Sequence, residues 1–210
     1  MSAYRLPAGC IKEIEKLCSA FLWSGPELNP KKAKITWTSL CKPKQEGGLG
    51  IKSLLKANKV SCLKLIWRLV SRQSSLWVNW VWTYIIRKGS FWSANDRSSL
   101  GSWMWRKLLK YRDVAKTMCK VEVNSGSSTS FWYDNWSQLG QLVDITNARR
   151  TIDMGIPLEA TVENVLASHR FRRHRTAIYN SIEAEIQRIR QRERSGAPDV
   201  SLWRASGDVF

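Results

Sequence analysis

Eight lysines stand close together near the start of this sequence: Lys31, Lys32, Lys34, Lys42, Lys44, Lys52, Lys56 and Lys59. Ammonium groups at that density suit a phosphate chain, because each contact releases a counterion condensed on the polyanion. The expected partner is the backbone of RNA or DNA, followed by shape and charge and not by base edges. The competing reading is that these lysines only keep a tryptophan-rich surface solvated. The distribution of charge favours the first. Of 210 residues, 34 are Lys or Arg and 17 Asp or Glu, a net of +17. Residues 1–120 hold 23 basic and 6 acidic residues, while residues 121–210 hold eleven arginines, no lysine and eleven acids. The whole excess therefore lies in the first part, as expected where two regions do different jobs.

Other chemistries find little support. Two-metal nucleotidyl transfer needs several carboxylates converging on a pair of cations. The first 120 residues offer only Asp96 and Asp113 as aspartates, and Asp134, Asp144 and Asp153 are scattered through turns where capping is their ordinary role. No phosphate-cradling Gly-x-x-x-x-Gly-Lys-Ser/Thr loop, Gly-x-Ser-x-Gly elbow or His-Glu-x-x-His helix is present. The five cysteines, Cys10, Cys18, Cys41, Cys62 and Cys119, include no Cys-x-x-Cys pair, so they read as free thiols, mostly small core hydrophobes. His169 and His174 are five apart, on different faces of a helix, and read as solvated or capping residues and not as metal ligands. No catalytic residue, metal ligand or cofactor is expected, and no small-molecule substrate. The longest charge-free stretch of the Trp-rich part, Gln73 to Ile86, has fourteen residues, too few to cross a bilayer, and Ala3 to Ile14 lacks the apolar core of a signal peptide. The chain reads as soluble and intracellular, without a membrane partner.

The elements that must carry the lysines are legible in part. Gly9–Trp23 has Ile11, Ile14, Leu17, Cys18, Phe21 and Leu22 at three- and four-residue steps and predicts a helix stopped by Ser24-Gly25-Pro26. Ile35–Cys41 alternates and reads as a short strand. Lys42 to Gly50 is a turn whose three glycines allow close backbone approach. Ile51 to about Arg72 predicts a helix with Lys52, Lys56 and Lys59 on one face and Leu55, Cys62, Ile66 and Leu69 on another. Trp77, Trp80 and Trp82 read as packing residues, and a third helix is expected over Trp103–Lys116. Val121-Glu122-Val123 and Thr129–Tyr133, separated by Asn124-Ser125-Gly126-Ser127, predict a β-hairpin. Thr161 is placed to cap a short helix, and a long helix is expected from about Phe171 to Glu193 with Ile178, Ile182, Ile186 and Ile189 as its apolar stripe.

Several stretches together resemble a known family. They are Phe21-Leu22-Trp23, Lys34-Ile35-Thr36-Trp37, Cys41-Lys42-Pro43-Lys44 and Glu46-Gly47-Gly48-Leu49-Gly50-Ile51. Asn58 with Leu65-Ile66-Trp67-Arg68-Leu69, Ser75-Leu76-Trp77, Ser102-Trp103-Met104-Trp105-Arg106-Lys107-Leu108-Leu109 and Ser130-Phe131-Trp132-Tyr133-Asp134-Asn135-Trp136 continue the match in order. The chain resembles a plant non-LTR retrotransposon (LINE-type) reverse transcriptase over nearly its whole length. The resemblance implies the end of a polymerase thumb and the linker beyond it, in a longer RNA-directed DNA polymerase polyprotein acting in the cell, with the nucleus a possible site. The palm aspartates, the endonuclease and the zinc cluster of that family match no position here.

The expected fold class is mainly α with a small β-hairpin (α+β), a helical linker region forming an incomplete fold. Residues 1–24 are read as a thumb-like terminal helix and 25–120 as a basic, Trp-rich helical linker. Residues 121–145 are the hairpin segment, and 146–210 a charge-neutral helical region cut short before a zinc-binding segment. The expected function is non-catalytic nucleic-acid binding; the alternative is a decayed or structural fragment whose apolar surfaces packed on a polymerase core.

Overall fold

The structure is a computed structural model that describes residues 6–94, 102–147, 149–192 and 196–204. The chain forms two compact units, Met1–Leu65 and Ile66–Phe210. The class is the expected one, mainly helical with one two-stranded antiparallel sheet.

The first unit begins with α1 (Ala8–Ser24), which ends where Gly25 takes a positive φ and donates its N–H to Phe21 O. The predicted apolar stripe is only partly used. Ile11 and Ala20 are buried, whereas Leu17 is 52% and Phe21 62% exposed. Ile35–Cys41 does not form the expected strand. Thr36 accepts the Ser39 N–H through its hydroxyl and starts the one-turn helix α2 (Trp37–Leu40); that side-chain cap offers the backbone a local alternative to a ladder. The following turn folds back so that Leu49 N–H donates to Leu40 O and Gly50 N–H to Lys42 O, both at 2.9 Å. A Cβ on Gly48 would lie inside the van der Waals shell of the Lys42 carbonyl, so the close approach read from the glycines is real and absolute at this one position. Helix α3 (Leu54–Val70) follows, with Glu15 of α1 accepting the Leu54 N–H at 3.2 Å, a carboxylate set where the helix dipole favours it. The buried Asn58 side chain pairs with both backbone groups of Leu6, at 2.9 and 3.2 Å.

The second unit takes up the rest of α3, from which Ile66 and Leu69 are fully buried while Leu55, expected on the same face, is exposed. Next come α4 (Leu76–Trp80), capped by Ser75 and continued by a π-helical turn to Ile86, then α5 (Trp103–Leu109) and α6 (Arg112–Lys116). The helix expected over 103–116 is thus two helices, broken where Tyr111 N–H turns tightly back to Leu108 O. Beyond them lie β1 (Cys119–Glu122), α7 (Leu142–Ile145), α8 (Arg150–Met154), α9 (Val162–Ser168), α10 (Ala177–Gln191) and β2 (Val200–Trp203). Thr161 caps α9 as expected, accepting Asn164 N–H at 3.2 Å.

Four expectations fail here. The strand β1 does not pair with Thr129–Tyr133. It pairs antiparallel with β2, Cys119 opposite Trp203 and Glu122 opposite Val200. Phe131 and Trp132 are adjacent and both fully buried, which a strand with one face in solvent cannot achieve. Residues 131–133 instead make a turn, with Phe131 N–H on Ala160 O and Val162 N–H on Thr129 O. The Trp132 indole then donates to Pro157 O at 3.0 Å from the centre of the core. The long helix begins at Ala177, not Phe171 (its expected end at Glu193 lies outside the described residues). His169 and His174 are not solvated caps: both side chains are nearly buried against the carboxylate of Glu183 on α10. The cysteines also differ, since Cys62 and Cys119 are buried but Cys10 and Cys18 are exposed on α1.

A single carboxylate closes the unit. Asp199, just before β2, accepts the N–H groups of Asn124 and Gly126 through one oxygen, at 2.9 and 2.8 Å. Its other oxygen takes the hydroxyls of Thr129 and Ser128 at 2.7 and 3.1 Å. Burial pushes this carboxyl up, but the donors outweigh it and hold it below the usual carboxylate range. The strand it introduces places Ser201 Oγ on Val70 O and stacks Trp203 edge-on against Trp67 at 5.3 Å.

Two stability measurements follow from this geometry. Gly48→Ala must displace the Lys42 carbonyl and is expected to destabilise the first unit by about 2 kcal/mol or more, read as a lower urea midpoint. Asp199→Ala strands several donors and is expected to cost about 2–4 kcal/mol at neutral pH. Because the native carboxyl is depressed, that cost should shrink as pH falls through the carboxylate range; a cost independent of pH would contradict the role given to Asp199.

Candidate nucleic-acid interface

The site is built from α3 outward. Four-residue steps along this helix place Lys56, Val60 and Lys64 along one side of an open groove of about 510 Å3, with Lys52 just before the helix. The opposite wall is Cys41, Pro43 and Gly50, from the turn that Gly48 makes possible. Burial, then the nearby Glu15 carboxylate, pushes the Cys41 thiol up against the opposing effect of Lys56, so it meets the groove as a neutral thiol. Lys42 and Lys44 flank Pro43, and Lys59 lies one turn round from Lys56. All eight lysines singled out from the sequence are exposed.

The structure sorts them into two groups. Lys52 and Lys56 line the groove, Lys42 and Lys44 are the sequence neighbours of its Pro43, and Lys59 is not part of its lining. Lys31 and Lys32 lie on a 3-10 turn (Pro30–Lys32) that packs on α1, with Lys34 just beyond it. Lys32 is held by Glu27 at 2.6 Å, an exposed pair of small energetic weight. Sequence reasoning missed Lys64, which the four-residue step from Lys52 through Lys56 already pointed to. The first unit has twelve basic and four acidic residues, net +8.

The second unit contains a polar node of a different kind. Asp134 accepts Ser90 Oγ at 2.8 Å and Ser130 N–H at 2.6 Å. Burial pushes its carboxyl up to about 6, against the lowering effects of Ser130, Ser90 and Arg72. A perturbed carboxyl beside a cavity is a reason to look for reaction chemistry. The cavity it shares with Arg72 and Asp199 measures only about 50 Å3, far below the roughly 300 Å3 at which ligand pockets begin. Asp134 is therefore a structural joint. Among the described residues, no group of three or more His, Cys, Asp or Glu side chains is placed to hold a metal ion.

Comparison with known proteins gives one relevant likeness. The chain is 29% identical over 160 residues to an Arabidopsis thaliana protein named "Putative ribonuclease H protein". The match covers 73% of this chain and 25% of that protein, so the chain spans about a quarter of the length of the curated relative it matches. No family model matches the chain, and no solved structure does. The chain is thus related in sequence to a plant protein carrying a ribonuclease H name.

The raised carboxyl of Asp134 has a measurable consequence. Between about pH 4 and 6 the folded chain holds a proton that the unfolded chain has released, so this group lowers stability as pH rises, by up to ~3 kcal/mol. Urea midpoints of the native chain and Asp134→Asn over that range should diverge, the native chain losing stability relative to the variant. Parallel curves would mean that Asp134 is not buried as described.

Proposed function

We propose that this chain is a non-catalytic, nucleic-acid-binding part of a plant retroelement protein of the reverse-transcriptase type, from a non-LTR (LINE-type) element. In this reading it holds the phosphate backbone of RNA or DNA on the lysine surface of residues 31–59, inside the cell, with the nucleus the site the family resemblance points to, without a cofactor or small-molecule substrate. The observation that carries it is the groove along α3, where Lys52, Lys56 and Lys64 line one side and Pro43, which stands between Lys42 and Lys44 in the sequence, lines the other. The relative's ribonuclease name gives separate support, since such a protein works on a nucleic acid. The motif series from Phe21-Leu22-Trp23 to Asn135-Trp136 is what points to a reverse transcriptase in particular. Three carboxylates of the second unit, Asp134, Asp199 and Glu183, each accept internal donors. A backbone-following surface of this kind reads charge and shape and carries no base specificity.

A second reading rests on α1. Leu17, Phe21 and Leu22 leave an apolar face exposed, which fits a segment whose surfaces pack on a polymerase core and bind nothing themselves. Among the described residues no helix is long and apolar enough to cross a membrane.

Filter binding to duplex and single-stranded RNA across a salt series separates the two. Replacing Lys31, Lys32, Lys34, Lys42 and Lys44 by Gln should flatten the slope of log K against log salt on a duplex by about 4, nearly one unit per phosphate contact. Binding without salt dependence, or unchanged in the fivefold variant, would refute the lysine surface and favour the packing role.

A further inference from the structure

The segment joining α9 to α10 is neither helix nor strand, and both of its ends are fixed to α10. His169 Nε2 and His174 Nε2 lie 2.8 and 3.1 Å from one oxygen, Oε1, of the fully buried Glu183. The His174 N–H donates to Asn180 Oδ1 and its carbonyl accepts from Asn180 Nδ2, each at 2.8 Å. Arg190 donates to His169 O at 2.9 Å and to Leu166 O at 3.1 Å. Between and just beyond these pins, Arg170, Phe171, Arg172, Arg173 and Arg175 are all exposed, Phe171 at 61%. None of the four arginines has an ion-pair partner among the described residues.

Beside this strap runs an open groove of about 420 Å3. Its apolar lining includes the buried Met154, Ile156 and Val165, and Arg170 and Arg172 line it from the strap. Glu159 also lines it and opposes an anion within the groove itself.

We infer that the strap of residues 170–175 is a second nucleic-acid contact, built for single strands. Guanidinium groups bind phosphates in a planar, bidentate fashion and stack on bases, which lysines do not. An exposed aromatic ring offers a face on which any base stacks, a mode closed to a paired duplex. The groove, apolar within and acidic at Glu159, suits an unstacked base with its phosphates outside on the arginines. Pinning both ends by a buried carboxylate leaves the strap little freedom to lose on binding. This contact is independent of the lysine surface and extends nucleic-acid binding to a region whose net charge is zero.

The experiment uses the full chain and three probes: a labelled single-stranded oligonucleotide, the duplex of equal length, and vesicles of phosphatidylcholine with phosphatidylserine. Replacing Arg170, Arg172, Arg173 and Arg175 by Gln is expected to flatten the single-strand salt slope by about 3, given about 0.7 per phosphate. Phe171→Ala should weaken single-strand binding roughly fivefold or more and leave duplex binding unchanged. Both variants alter exposed side chains, and an unchanged thermal melt confirms the fold. A fourfold variant that binds the single strand like the native chain overturns the strap, whatever the lysine variants do. Loss in that variant with none in the lysine variant upholds the strap and refutes the lysine surface. Arginine-dependent binding to the vesicles without binding to the oligonucleotide overturns the proposal in favour of a lipid surface.

Discussion

A carboxylate taken wholly or partly out of water must find donors, and in the Ile66–Phe210 unit the buried Asp134 and Glu183 and the half-buried Asp199 organise the chain. Asp199 gathers the loop 124–129 and so delivers β2 to β1. Asp134 ties the turn at Ser130 to Ser90. Glu183 draws His169 and His174 onto α10, although its second oxygen has no hydrogen-bond partner among the described residues. Leaving a buried carboxylate unpaired costs several kcal/mol, so each donor set fixes segments far apart in sequence. The hydrophobic core, centred on Phe131, Trp132 and the isoleucines of α10, supplies the driving force. The carboxylates decide which of several compact arrangements it takes.

The same constraint separates structure from function in the placement of charge. In the second unit Asp134, Asp199 and Glu183 are taken up by internal donors, while the strap arginines and the groove lysines face solvent without an ion-pair partner among the described residues. A groove of several hundred Å3 with a cationic wall suits a polyanion; a 50 Å3 cavity at Asp134 suits nothing larger than water. The raised Asp134 carboxyl is thus a signature of burial, not of reactivity.

Much of the local structure was legible because its causes lie within one or two helical turns. The C-terminal end of α1 follows from Gly25, the cap of α9 from Thr161, and the buried stripe of α10 from isoleucines at four- and three-residue steps. The lysine faces of α3 follow from the same periodicity, Lys64 included. Ile35–Cys41 misled because alternation over seven residues carries no record of the Thr36 hydroxyl, which turns the segment into α2. The arginine strap was hidden by arithmetic: eleven arginines against eleven acids read as neutral, but the acids include Glu183 and Asp199, which do not share the arginines' surface.

By itself, then, the sequence determined the helical class, the helix limits set by caps and breakers, the Gly48 turn and the exposed lysines. All of these depend on residues a few positions apart. Tertiary structure alone decided the partner of β1, the burial of the two histidines and the work given to Asp134 and Asp199. Asp199 meets its donors across 70 to 75 residues, and Glu183 meets His169 across 14. No spacing rule encodes such a meeting, because it is fixed by which folded surface excludes water from the carboxylate.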